Sequence, residues 1–261
     1  MGELPEALQV SLIPVLSDNY VFVIARGLQA AVVDPAVAEP VIAALEAKRQ
    51  ELTAILHTHH HSDHIGGTHG LLERWPQARV IASAADRLRI PLQSEGVRGG
   101  DHFSLLGEEV QVLDVPGHTR AHIAFVLPVS GHLFCGDTLF AAGCGRMFEG
   151  TPPVMHASLQ KLASLPMATR VFCTHEYTLS NLAFAKVVLG NVVAERIGNE
   201  QRKRDADRPR LPSTMALELA TNPFLRCEDP AVLAALASQQ QFTGREPAQV
   251  FGALRRWKDS F

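Results

Sequence analysis

The stretch THHHSDHIGG, Thr58 to Gly67, decides how the rest of the chain is read. Within it His59, His61, Asp63 and His64 form the array H-x-H-x-D-H. Imidazole and carboxylate are ligand types of zinc, iron and manganese, and four of them within six residues must converge on a small volume. So short a segment does not turn every side chain toward one tetrahedral ion. The array therefore predicts two metals, with alternating positions aimed at one ion and Asp63 and His64 at a second. His60 occupies an x position and points away from both. His57 and His69 border the array, as partners of the ligands or as packed or solvated side chains. A low-complexity histidine tract would be a solvated binder. Here the array follows a strand-like run, Leu52 to Leu56, and ends in Gly66-Gly67, where backbone turns tightly. That is the context of a strand-to-loop site.

The same arrangement recurs downstream. The alternating run Glu109 to Val115 leads into PGHT at Pro116 to Thr119. Ile123 to Leu127 and His132 to Cys135 lead to GDT at Gly136 to Thr138. Arg170 to Cys173, preceded by a helical Pro153 to Leu165, leads to THEY at Thr174 to Tyr177. Apolar runs thus end at His59 and its neighbours, at His118, at Asp137 and at His175. If those strands share a sheet, their ends share an edge, and ligands distant in sequence meet there. His102, His122, His132 and His156 stand in no motif and are read as structural.

Upstream, Val10 to Leu16 and Tyr20 to Ala25 flank the turn signal Ser17-Asp18-Asn19 and predict a hairpin, followed by a strand from Ala30 to Val33 that Pro35 stops. Val37 to Gln50 has helical spacing, His69 to Trp75 reads as a short helix, Arg79 to Ala82 as a strand and Pro91 to Asp101 as surface loop. From Thr178 onward helical signals follow one another: Leu179 to Leu189, Val192 to Arg204, Ser213 to Ala220, Pro230 to Ser238 and Glu246 to Lys258. Asp229-Pro230 is an N-cap with proline at the first helical position, and Thr243 with Glu246 matches a capping box. The expected division is a metal-binding catalytic domain, 1–175, and a smaller all-helical domain, 176–261.

A hydrophobic content of 46% over 261 residues is enough to bury a full core, and a formal charge of −3 gives no reason to expect nucleic acid or a membrane as partner. The N-terminus lacks a basic segment followed by an apolar one, Glu6 stands where myristoylation needs Ser or Thr, and no apolar run approaches the roughly 20 residues that span a bilayer. Cys135, Cys144, Cys173 and Cys227 are scattered with no C-x-x-C, which fits reduced thiols in the cytoplasm.

These residues resemble the metallo-β-lactamase superfamily and, within it, the hydroxyacylglutathione hydrolases (glyoxalase II). The superfamily resemblance lies in H-x-H-x-D-H at His59 to His64 with His118, Asp137 and His175 in order. The narrower one lies in GDTLF at Gly136 to Phe140, GCGRMFEGT at Gly143 to Thr151, THEYT at Thr174 to Thr178, NPFLR at Asn222 to Arg226 and LRRWKD at Leu254 to Asp259. The resemblance implies an α/β fold: an αββα sandwich followed by helices. It implies that His59, His61 and His118 bind one divalent metal, Asp63, His64 and His175 the other, and that Asp137 bridges the two with a water or hydroxide, Asp63 standing nearby. Zinc is the expected metal, with iron or manganese as alternatives. Arg255 and Lys258 match basic residues that hold the glycine carboxylate of glutathione, Tyr177 matches a tyrosine that contacts the thioester substrate, and Arg146 and Phe148 fall in the loop lining that site. Some members carry Tyr where this chain has Phe148.

The implied reaction is hydrolysis of S-D-lactoylglutathione and related 2-hydroxyacylglutathiones to glutathione and D-lactate, a step of methylglyoxal detoxification, by a monomer. Two metals supply a nucleophile and stabilise the oxyanion, and a thiolate leaves with little help, so no Ser-His-Asp set is needed and no G-x-S-x-G is present. Glutathione carries two carboxylates, and Arg255 and Lys258, three apart on the last helix, share a face. Rival readings are a persulfide dioxygenase of the same superfamily using one iron, a nuclease or lactonase, and a non-catalytic metal binder. The Asn222 to Asp259 segment argues against the first, the lack of a clustered basic surface against a nuclease, and the idle Arg255 and Lys258 against a lactonase.

Overall fold

The structure, a computed structural model, describes residues 7–261; the readings made on the first six residues lie outside them. By Cα proximity the chain forms two compact units, one running to Asp114 and resuming over Ala121–Gly136, the other made of Val115–Arg120 and Asp137–Phe261.

The first unit opens with β1 (Gln9–Val15), β2 (Asn19–Arg26) and β3 (Gln29–Val33). Each pairs antiparallel with the next, and the β1–β2 register closes at Val15 opposite Asn19, so the polar turn falls where Ser17-Asp18-Asn19 predicts it. Helix α1 (Glu39–Ala47) is shorter than its apolar spacing suggests. Pro40 lies in its first turn and Arg49 takes a positive φ just past its end, and these punctuate the helix from both sides. Then β4 (Glu51–Leu56), the single turn α2 (Ser62–Ile65), α3 (Thr68–Arg74), β5 (Arg79–Ser83) and β6 (Glu95–Val97) follow. Strands β3 to β6 run parallel, and Leu52, Ala54, Ile55, Leu56, Val80 and Ile81 are all buried, as strands covered on both faces require. Val41, Leu45, Leu71 and Trp75 pack into the same core as Val21, Val32 and Ile55.

An antiparallel set follows: β7 (His102–Leu105), β8 (Glu108–Asp114), β9 (Ile123–Leu127) and β10 (His132–Gly136). Strand β6 was read as loop because its three residues, Glu-Gly-Val, are too few to carry a period.

The second unit holds the small hairpin β11 (Leu139–Phe140) and β12 (Gly143–Cys144), α4 (Pro152–Ala163), β13 (Arg170–Cys173), α5 (Thr178–Leu189), α6 (Ala194–Asp205), β14 (Ser213–Thr214), α7 (Met215–Thr221), α8 (Pro230–Gln240) and α9 (Pro247–Asp259). Two predicted helix starts move. Ser213 and Thr214 are extended, pair with β13, and Thr214 caps α7 by accepting from Leu217 N. Glu246, not Thr243, caps α9: its carboxylate accepts from Ala248 N and Gln249 N, with Pro247 fixing the first turn. The Asp229 cap on α8 forms as expected. An aromatic centre of Phe184, Phe224, Phe251 and Trp257 joins α5 and α9, with ring centroids 5.3–6.0 Å apart. No helix among the described residues is long and apolar enough to cross a membrane.

Candidate functional site

Both units carry histidine and aspartate side chains of the types that bind metal. In the first, β4 delivers the chain to Thr58, and the aspartate that precedes the strand-stopping Pro35 organises everything after it. Asp34, at the end of β3 with φ 51°, is 1% exposed. It accepts from Thr58 N at 2.8 Å, from Thr58 Oγ1 at 2.7 Å and from His64 Nδ1 at 3.0 Å. Burial works to raise the Asp34 pKa, but His64 beside it and the Thr58 hydrogen bonds outweigh that and hold the carboxyl below its usual range.

These bonds set the tautomers. Since the Thr58 hydroxyl donates to Asp34, it accepts from His59 Nδ1, 3.1 Å away. His59 and His64 thus both carry hydrogen on Nδ1 and keep a lone pair on Nε2. His59 Nε2 and His61 Nδ1 face each other at 3.1 Å. Two nitrogens on one tetrahedral zinc, with bonds of about 2.0–2.1 Å, lie about 3.3 Å apart, so this pair has the spacing of co-ligands. The turn α2 begins immediately after His61 and sets Asp63 and His64 in its first turn, with His64 Nε2 3.7 Å from Asp63 Oδ2. Asn19 Nδ2 donates to both the carbonyl and Oδ2 of Asp63 at 3.2 Å.

The neighbours fall into place around this loop. His60 turns to Asp86 at 3.1 Å and Arg89 at 3.3 Å. His57 is fully buried, bonded to Thr68 Oγ1 at 2.9 Å, and burial pushes its pKa down to about 4, so it is neutral. His122 stacks on His59 with centroids 4.6 Å apart and planes at 18°. His69 makes an exposed pair with Glu73.

In the second unit Asp137 is central. Its Oδ2 lies 3.5 Å from His118 Nε2 and 3.3 Å from His175 Nε2, a co-ligand spacing on both sides. His118 Nδ1 donates to the Arg146 carbonyl at 2.8 Å, which again puts the ring's lone pair on Nε2. The loops carrying these groups are tied together: Phe148 N and Glu149 N donate to the His118 carbonyl, and Arg120 N donates to Glu149 Oε2. A Cβ at Gly117, whose φ is 150°, would meet Met155 Sδ at 2.3 Å.

The hairpin that joins Asp137 to Arg146 has its backbone held by side chains of the helical region. Asn222 Nδ2 donates to the carbonyls of Phe140 and Gly143, Asn181 Nδ2 to that of Ala141, Arg255 Nη1 to that of Cys144, and Glu218 Oε2 accepts from Ala142 N. Glu218 is itself paired with buried Arg196 at 2.5 Å. Asn222 lies in the NPFLR motif, but the motif alone carries no sign that its amide bonds to backbone 79 and 82 residues away.

Around these side chains Tyr177 stacks flat on His175, centroids 5.0 Å apart, with Phe140 edge-on to both, and Phe148 sits edge-on to His118 at 5.2 Å. The cations differ among themselves. Arg146 is exposed. Lys258 is half-buried, its Nζ 3.4 Å from the Ser180 carbonyl and near the rings of Phe184 and Phe261. Burial lowers its pKa, with Arg255 and Arg146 adding to the shift and Asp259 opposing it. Arg255 is 5% exposed, bonded to Cys144 O and to Asp259, with Phe224 under its guanidinium.

Comparison with known proteins covers both units. The family described as "Metallo-beta-lactamase superfamily" matches residues 15–175, and "Hydroxyacylglutathione hydrolase C-terminus" matches residues 176–261. The chain is 52% identical to a hydroxyacylglutathione hydrolase of Synechococcus sp. (strain CC9605), over 87% of this chain and 95% of that one. It is 49% identical to one from Synechococcus sp. (strain JA-2-3B'a(2-13)), over 97% and 100%. Among solved structures, ETHE1 from Myxococcus xanthus superposes with a TM-score of 0.64 at 25% identity, over 97% of this chain and 99% of that one.

Proposed function

The chain belongs to the hydroxyacylglutathione hydrolase (glyoxalase II) family of the metallo-β-lactamase superfamily, and from that footing we propose that it hydrolyses S-D-lactoylglutathione and related 2-hydroxyacylglutathiones to glutathione and the hydroxy acid. It is a metallohydrolase with an α/β sandwich followed by helices. In this reading His59, His61 and His118 would hold one divalent ion and Asp63, His64 and His175 a second, and Asp137 would serve as a further ligand. The donor sets His59, His61, His118; His59, His64, Asp137; and Asp63, His64, His175 are of types that bind such ions, which supports it. When bound, the two ions supply hydroxide at neutral pH and neutralise charge on the thioester oxygen.

The chain's own residues do the rest. Asp34, through Thr58 and His64, holds Nδ1 of His59 and His64 in hydrogen bonds and so keeps their Nε2 lone pairs available to metal. Asp137 contributes an oxygen between His118 and His175. The leaving thiolate, with a pKa of about 8.5 like cysteine's, departs without a general acid. Arg146, Arg255 and Lys258 receive carboxylate, and Tyr177 and Phe148 offer ring faces to the substrate. The helical part, 176–261, thus supplies specificity to the metal-binding part, 1–175. Zinc suits the mixed His and Asp set, and iron or manganese would fill it as well. We assign the enzyme to the cytoplasm, on the strength of four buried cysteines that stand outside any disulfide, and take it as a monomer; its reaction belongs to methylglyoxal detoxification.

The observation that carries the substrate is the family match over 176–261, because a metal centre alone is common to the superfamily. That match also favours the hydrolase over the dioxygenase reading. The test is loss of thioester absorbance when metal-loaded protein meets S-D-lactoylglutathione. Turnover that falls away in Lys258→Ala through a raised KM supports the assignment; no hydrolysis by the unmodified chain rejects it.

A further inference from the structure

The cation group of the second unit already contains a carboxylate. Asp259 Oδ1 lies 3.0 Å from Arg255 Nη2 and 3.7 Å from Arg146 Nε. No other acidic group pairs with either arginine among the described residues, so one aspartate serves both. Its two partners are held very differently. The Arg255 guanidinium is fixed without Asp259: Nη1 donates to the buried Cys144 carbonyl at 2.9 Å and its plane lies over Phe224 at 5.1 Å. Asp259 is the last residue of α9, its side chain is 44% exposed, and among the described residues its carboxylate makes no hydrogen bond or ion pair beyond these two contacts. Exposed ion pairs of this kind bias an equilibrium by roughly fivefold or less. Removing the aspartate therefore leaves the cations in position.

We propose that Asp259 is an internal stand-in for the substrate's glycine carboxylate: it occupies the Arg146 and Arg255 cations in the free enzyme and swings out when the glutathione moiety binds. This rests on reading Arg146, Arg255 and Lys258 as the carboxylate subsite. The charges favour such an exchange. Three cations with one aspartate still carry a surplus of positive charge, and a single carboxylate exchanged for another keeps that balance. An anion with only one contact to offer gains little over the tethered Asp259, whose effective concentration is high. A ligand also anchored elsewhere can displace it. Asp259 is then a specificity residue, weakening adventitious small anions more than glutathione thioesters, at some loss of affinity for the true substrate.

The opposite role is equally concrete: an aspartate that stays in place and orients Arg255 would strengthen substrate binding. The isosteric variant Asp259→Asn separates the two. Calorimetric titration of the metal-loaded full chain with glutathione, and with glutathione esterified at its glycine carboxylate, reads out the difference. The expected result is that Asp259→Asn binds glutathione about twofold to fivefold tighter, with the KM for the thioester falling in step, while the ester keeps its unmodified affinity. Weaker or unchanged glutathione binding in the variant, or equal tightening for both ligands, overturns the proposal. If the unmodified chain binds free acid and ester alike, the carboxylate subsite itself is rejected, and the stand-in with it. Thermal unfolding checks that the exposed substitution leaves the fold intact.

Discussion

The loop from Thr58 to Gly67 and the helix end from Arg255 to Asp259 are both dense in charged or metal-binding side chains, yet they are built on opposite principles. The loop is supported from behind: Asp34 and Thr58 are essentially inaccessible, and their hydrogen bonds to each other, to His59 and to His64 narrow the position or tautomer of two proposed ligands. The helix end is supported only at Arg255, while Arg146, Lys258 and Asp259 reach toward solvent with few fixed contacts. The difference matches the two tasks. Metal ligation needs donors held before the ion arrives, whereas recognition of a flexible peptide-like substrate needs charge that can rearrange.

The largest way to break this contrast is to remove the support of the loop. Asp34→Ala deletes the acceptor of three buried hydrogen bonds and the charge opposite His64. It should cost about 3–5 kcal/mol in urea unfolding and lower the bound metal per chain measured by elemental analysis. A stability change under about 1 kcal/mol with metal retained would mean that the loop holds itself. Chelation comes next: a strong chelator should abolish thioesterase activity and lower Tm, because metal that binds only the native state stabilises it by mass action. Activity that survives complete metal removal would end the metallohydrolase reading.

At the helix end effects should be smaller and of another kind. Lys258→Ala should raise KM for S-D-lactoylglutathione about tenfold while moving stability by less than about 1 kcal/mol. A large loss of stability instead would make Lys258 a packing residue. The smallest effect concerns the thiols. Burial raises Cys144 to about 11 and Cys227 to about 12, against 9.0 for the free group. The folded chain keeps these protons where the unfolded chain loses them, so stability should fall as pH rises above about 9. At pH 8 the native protein should resist iodoacetamide at both positions and label there only in denaturant; rapid native labelling would contradict this burial.

The proposed ligands stand out in the sequence because they sit at the ends of apolar runs, and backbone direction makes that position meaningful without any knowledge of packing. The same rule would have found Asp34, which ends the run Ala30 to Val33; the following proline offered a sufficient local explanation and hid it. The grip of Glu218, Asn181 and Asn222 on the 140–144 backbone was not legible, because it depends on side chains meeting carbonyls far along the chain. Nor was the burial of Arg255. Spacing puts it on the face of Lys258, but only packing decides that one guanidinium is enclosed and the neighbouring ammonium half-open. Helix positions were readable to within a turn, and their caps less so: Thr243 and Glu246 fit a capping box by spacing, whereas Pro247 makes Glu246 the first cap available.

The central claim is that a two-metal centre in this chain serves a glutathione thioester. The most direct measurement is the steady-state loss of thioester absorbance from S-D-lactoylglutathione, run on protein whose metal content is counted in the same sample. Turnover should rise with loading and saturate at two divalent ions per chain. Turnover that fails to appear at two ions, or one iron per chain with oxygen consumed on glutathione persulfide, would contradict it.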